Sequence, residues 1–161
     1  MVVNVSDTLW ARTNIHTASS FYLKSGVFIP GNYTHTIEGT WIDTGGVFQP
    51  TGGTIIVKGL EIYQGNNNNF YNLTTDGTNV TAKTNLDIDG TLIVNSGEFN
   101  LGTGLIHDIS GSPGVYGVLD LGASVLTFDG TMNIYNGGIV EMTNTCTLKV
   151  GNAINITSGG K

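Results

Sequence analysis

The residues of this chain whose types and spacing could do chemistry are aspartates. Asp87 and Asp89 stand two apart in Leu86-Asp-Ile-Asp-Gly-Thr91, so on a strand they share a face. Asp129 follows 40 residues after Asp89, in Leu126-Thr-Phe-Asp-Gly-Thr131. In a chain wound in 20-residue coils, Asp129 would lie two coils above Asp89, about 10 Å away. Carboxylates at such separations cleave glycosides, and stacked carboxylates bind calcium. Against both, Asp89 and Asp129 each precede Gly-Thr, where Asp is a turn former, and no Arg or His recurs beside them. The Gly-Gly-x-Gly-x-Asp repeat of calcium-binding β-helices is also absent.

The other reactive side chains are scattered. His16, His35 and His107 lie 19 and 72 residues apart, which is no metal-ligand spacing. No Ser-His-Asp set and no phosphate loop can be drawn. A single cysteine, Cys146, excludes an internal disulfide. In Thr145-Cys-Thr-Leu-Lys-Val150, alternation points it inward with Leu148 and Val150 as a small hydrophobe. The expectation is therefore no enzyme, no cofactor and no metal site.

What would position any such residue is a repeat. Gly26 and Gly46 are 20 apart, Gly77, Gly97, Gly117 and Gly137 are again 20 apart, and 31 residues separate Gly46 from Gly77. Gly-Val-Phe-Ile-Pro at 26–30 returns as Gly-Val-Phe-Gln-Pro at 46–50. Gly-Glu-Phe-Asn-Leu-Gly at 97–102 returns as Gly-Val-Leu-Asp-Leu-Gly at 117–122. A fixed period of this size signals stacked supersecondary units. Short β-branched runs such as Thr54-Ile-Ile-Val57 and Thr91-Leu-Ile-Val94, closed by Gly, Asn, Asp or Ser, read as strands. The expected fold is all-β, a parallel β-solenoid of about 20 residues per coil and seven to eight coils. Equivalent residues stack about 4.8 Å apart, in a rod of roughly 35–40 Å. Phe28 should lie beneath Phe48, and Phe99 beneath Leu119 and Ile139.

Two regions depart from the ruler. The extra 11 residues between Gly46 and Gly77 are assigned to an inserted loop at about 63–71. Insertions in solenoids map to one face, often the binding face. Tyr63, Asn66, Asn67, Asn68, Asn69, Phe70 and Tyr71 are thus the candidate ligand-binding residues, with the four asparagines projecting. Residues 1–20 read as an N-terminal cap or inter-subunit segment, with Ser6 able to open a short helix. Residues 21–161 form the solenoid. A bare solenoid end presents unpaired strand edges that recruit another strand. Val2, Val3 and Val5 at one end, with Ile154 and Ile156 at the other, are the candidate self-assembly residues.

Composition narrows the partners. Charged residues make up only 11% of the chain, and six Lys or Arg stand against twelve Asp or Glu, a net charge of −6. Without a basic stripe, nucleic acid is not an expected partner. No run of 18 apolar residues suggests a membrane span. Met1-Val-Val-Asn-Val carries no signal-peptide pattern.

Three stretches carry a family resemblance: Thr40-Trp-Ile-Asp-Thr-Gly-Gly-Val-Phe-Gln-Pro-Thr-Gly-Gly-Thr-Ile-Ile-Val-Lys-Gly59, Phe70-Tyr-Asn-Leu-Thr-Thr-Asp-Gly-Thr78, and the run from Leu86 to Gly102. They resemble the Gly/Thr/Asn-rich repeats of large secreted bacterial surface proteins, especially Bacteroidetes-type adhesins. The resemblance spans roughly residues 20–150 and implies a right-handed parallel β-helix, located outside the cell or on its surface. Such repeats serve as stalks, fibres and adhesins. The expected function is a structural module that assembles end to end. The alternative is a carbohydrate- or receptor-binding module contacting a glycan or host-surface receptor. A polysaccharide-processing enzyme ranks below both.

Overall fold

A computed structural model of the chain describes residues 1–65, 68–143 and 145–161. Its strands form a β-solenoid of eight coils in which every strand pairing is parallel. No helix occurs among the described residues.

Each coil crosses three faces in the same order. The first face carries Trp41–Asp43, Glu61–Tyr63, Asn79–Ala82, Glu98–Asn100, Val118–Asp120 and Ile139–Glu141. The second carries Leu86–Ile88, Thr103–Ile109, Ala123–Phe128 and Thr147–Val150. The third carries eight strands, from His16–Thr17 through Thr54–Val57 and Thr131–Ile134 to Ala153–Ile156. Low in the rod, Val2–Trp10 and Phe21–Ile29 run unbroken across the first two faces.

Alternation builds the core. Strands such as Thr54-Ile-Ile-Val57 and Thr131-Met-Asn-Ile134 put every second side chain inside. The parallel ladder then stacks these residues into columns. On the third face one column runs Thr17, Ile37, Val57, Thr75, Val94, Val115, Ile134, Ile156, at steps of 18 to 22 residues. On the first face a column runs Phe21, Trp41, Ile62, Ala82. Leu101 and Leu121 continue it, one residue past the paired Thr81–Asn100 and Asn100–Asp120. On the second, Phe70, Ile88, Ile109, Phe128 and Val150 follow one another.

Phe28 sits beneath Phe48 and Phe99 beneath Leu119, as the repeat implies. One step higher the expectation fails. Leu119 pairs with Val140, and Ile139 stands over Val118 on a strand that is only half-buried. The reason is Gly138, not Gly137, standing level with Gly117, one residue past the ruler.

No 11-residue insertion exists. Gly26 and Gly46 lie at the corner between the first and second faces. Gly77, Gly97 and Gly117 lie at the corner between the third and first. The 31-residue gap is therefore a change of corner within coils of ordinary length. The second glycine column is held by contact. A Cβ on Gly97, whose φ is +59°, would meet the Gly77 carbonyl oxygen at 2.1 Å. A side chain there would push the two coils apart.

Residues 1–20 are neither cap nor helix. They are the first coil, with Val3 over Leu23 and Leu9 over Phe28. Four residue steps separate Asn4 from Thr8, where the next coil has two between Ser25 and Val27. This bulge is what hides the coil from the glycine ruler.

Candidate functional site

The first-to-second-face corner varies in length from coil to coil. From Ile62 to Phe70 is eight residues, from Ala82 to Ile88 six, and from Leu101 to Ile109 eight again. A short corner between two long ones leaves a recess. The structure has a cleft there of about 590 Å³, floored by Lys83-Thr84-Asn85-Leu86-Asp87, with Gln64 and Asn68 below and Leu105, Ile106 and Asp108 above. A second lobe of about 400 Å³ shares Gln64, Gly65 and Thr84 and extends down to Asp43 and Tyr63.

Buried amides make the lower wall. At this corner side chains, rather than carbonyls of the next coil, take the N–H groups of Phe48, Gln64 and Asp87. Gln64 accepts the Asp87 N–H on Oε1 at 3.2 Å. Its Nε2 donates to the Asn68 carbonyl, while its own N–H donates to Thr84 Oγ1 at 2.8 Å. Asn68 Oδ1 accepts the Phe48 N–H at 3.0 Å, and Nδ2 donates to the Gly46 carbonyl at 3.1 Å and to the Asp43 carboxylate. Asn68 is only 6% exposed. This corrects the expectation of four projecting asparagines: a buried ladder position demands an amide that both donates and accepts.

Asp43 is buried, and its Oδ1 has no hydrogen-bond partner among the described residues. Burial raises its pKa above the usual carboxylate value, against the pull of Asn68 and of nearby glycine amides. At the edge of the floor, Asp87 stands one rung beneath Asp108 of the upper wall. Partial burial, then the charges of Asp89 and Asp108, raise its pKa too. The cation on the floor, Lys83, lies 3.2 Å from Glu61 and is balanced by it. The cleft is thus acidic and rich in hydroxyl and amide groups.

The loop aromatics do not converge. Phe70 is fully buried in the core, because it occupies the inward position beneath Ile88. Tyr63 lines the lower lobe, with its hydroxyl 3.4 Å from Glu61. Tyr71 is exposed beside the corner between the second and third faces. Asn69 donates to the Asp89 carboxylate. Asn66 and Asn67 lie outside the described residues.

The aspartates stack twice. Asp129 stands two coils above Asp89 with Ser110 between them, as the 40-residue offset implies, and Asp87 stands one rung beneath Asp108, which the repeat did not point out. Asp108 was missed because it sits in Ile-His-Asp-Ile rather than Asp-Gly-Thr. The only available signal was the 21-residue offset that aligns Leu86 with His107.

Two histidines are interior struts. His35 Nδ1 accepts the Ile15 N–H at 3.1 Å, and its Nε2 faces the Pro30 carbonyl at 2.9 Å. His107 repeats this with the Leu86 N–H at 3.2 Å and the Leu101 carbonyl at 2.8 Å. An amide donating to Nδ1 fixes the proton on Nε2. Burial lowers both pKa values, that of His107 to about 4. His16 is exposed, 3.1 Å from Glu38. Cys146 packs on the core beside Leu148, as alternation implies, while Val150 is exposed at the rod's end.

The two ends form the other candidate surface. At the lower end Val2 and Trp10 are exposed, whereas Val3 is buried beneath Leu23. The side chain of Val5 lies outside what is described. At the upper end Val150, Ile154 and Ile156 continue inner columns but are open to solvent.

Comparison with protein-family models, curated proteins and solved structures finds no match to this chain.

Proposed function

We propose that this chain is a structural module of an extracellular rod, a stalk, fibre or filament unit whose coils continue end to end with a second copy. One observation carries the reading. Ile134 is 3% exposed, while Ile156, one rung higher in the same inner column, is 61% exposed. The last coil has the inward pattern of a core coil, with Ile154 and Ile156 in register over Met132 and Ile134. Unpaired parallel edges with apolar inner positions favour another set of strands in the same register. A head-to-tail contact of this kind propagates rather than closes. The Thr/Asn-rich, weakly charged composition and the resemblance to bacterial surface repeats support the extracellular setting.

Electron microscopy and sedimentation at rising concentration test it. Rods growing in multiples of the single-unit length are expected, and Val150→Lys with Ile156→Lys should dissolve them while the β signal in circular dichroism persists. A chain that stays monomeric at high concentration, or a double variant that still assembles, would sink the reading. The alternative of an adhesin built on the 63–71 loop loses Phe70 and Asn68 to the interior. What remains of that segment for a binding role is its part in the corner cleft, through Tyr63 and Gly65.

A further inference from the structure

We propose that the corner cleft over the fifth coil binds a neutral, hydroxyl-rich oligosaccharide laid along the rod. The two lobes meet at Gln64, Gly65 and Thr84. A third recess of about 420 Å³ joins the first at Lys83 and Leu105. Together they follow the corner from the third coil to the sixth, three rungs or about 14 Å. That is an open trough along a chain direction, suited to a linear polymer rather than a compact cofactor.

The lining sets the ligand's chemistry. Sugar hydroxyls both donate and accept, and the trough offers amide, hydroxyl and carboxylate groups side by side in Asn85, Thr84, Asp87 and Asp108. Asp43 borders the lower lobe, with its carboxylate buried and held by Asn68. Ile106, 60% exposed, and Leu105 give an apolar strip on the opposite wall. Such a strip suits the C–H face of a sugar ring. Charge excludes the other anionic candidates. Three carboxylates face one lysine that is already paired, so uronate chains, phosphates and nucleic acids are repelled. This inference is independent of assembly, since every lining residue belongs to one copy.

The test is a titration of the isotope-labelled full chain with a panel of neutral tetrasaccharides (β-1,4-glucan, α-1,4-glucan, mannan and chitin types), followed by backbone amide shifts. Binding by one of them should perturb Thr84, Asn85, Asp87 and Asp108 and leave the third face unmoved. Inserting Gly-Ser between Thr84 and Asn85 restores the eight-residue corner of the adjacent coils. It should fill the trough and abolish binding with the melting temperature little changed. If that variant fails to fold, Asp87→Asn with Asp108→Asn, both on exposed strand positions, serves instead, and affinity should fall at least tenfold. No response from any tetrasaccharide overturns the proposal. So does binding that survives the deciding variant. Binding of a basic peptide without any glycan would also overturn it, since the carboxylates alone would then be acting.

Discussion

The lower and upper halves of the rod share one backbone plan and differ in what fills it. Below, rings stack on rings. Phe21 lies on Trp41 at 4.7 Å and 9°, Phe28 on Phe48 at 5.9 Å, and Trp41 meets Phe70 edge-on at 5.4 Å. Above, the same columns continue as Ala82, Leu101 and Leu121, and as Ile88, Ile109 and Phe128. The ladder fixes the rise between coils in both halves, so only the cross-section can respond to side-chain volume. It responds at the changeover. The smallest residue of the first-face column, Ala82, sits in the coil with the shortest corner, six residues to Ile88. The cleft outside is the external consequence of a smaller core inside.

The largest effect should come from the aromatic half. Trp41→Ala removes a ring that touches Phe21, Phe48 and Phe70, and the close-packed column cannot collapse to fill the space. A loss of about 4–5 kcal/mol is expected by urea unfolding. The indole N–H has no partner among the described residues, so Trp41→Phe should recover most of that loss. A Trp41→Ala cost no greater than about 1 kcal/mol would show that the stack does not hold the lower half together.

Next comes a feature common to both halves. His107 above and His35 below are neutral struts. A group with a depressed basic pKa binds its proton in the unfolded chain first. The fold therefore keeps its full stability above the ordinary histidine pKa of about 6.5 and loses it as pH falls. For His107 the loss runs down to its folded value of about 4, or about 3 kcal/mol in all. Raised carboxylate values at Asp43 and Asp87 act in the opposite direction. The ring itself is the direct reporter. Its proton resonances should titrate near pH 4, and a midpoint near 6.5 would refute the strut.

Third, Asn68→Ala tests the seam between the halves. It leaves the Phe48 N–H and the Gly46 carbonyl without their side-chain partner. A cost of about 2–3 kcal/mol is expected by chemical denaturation. A change within about 0.5 kcal/mol, as for a surface residue, would return Asn68 to the outside of the rod.

Much of the fold was legible because a parallel ladder copies local sequence at a fixed offset. Phe28 over Phe48 needs nothing beyond that copying. The false insertion has one cause: three corners use glycine, and residue type does not say which. Gly46 and Gly77 look equivalent in sequence but stand at different corners, and a false insertion results. Asn68 looked like loop tip because runs of asparagine are polar, yet an amide is also the side chain that best imitates a peptide group. The cleft was legible only after register was known, as a count of residues between Ala82 and Ile88. Asp108 became visible as the neighbour of Asp87 at the same step.

The smallest expected effect is a gain. Above Thr17, whose hydroxyl donates to the Ser19 carbonyl, the third-face column reads Ile37, Val57, Thr75, Val94, Val115, Ile134, and Thr75 is the one hydroxyl among these. The residue is fully buried, and its Oγ1 has no hydrogen-bond partner among the described residues. Valine has nearly the same shape, and its β-branch suits the strand. Thr75→Val removes the desolvation cost of an unpaired hydroxyl and adds a methyl to the stack. A gain of about 1 kcal/mol is expected, or roughly 2–4 °C in melting temperature for a chain of this length. The reverse change one rung higher, Val94→Thr, should cost about the same or more, since it buries a new hydroxyl in the same column. If Thr75→Val instead destabilised the protein, the hydroxyl would have to be bonded, and the seam between the halves would hold a polar link rather than a plain apolar stack.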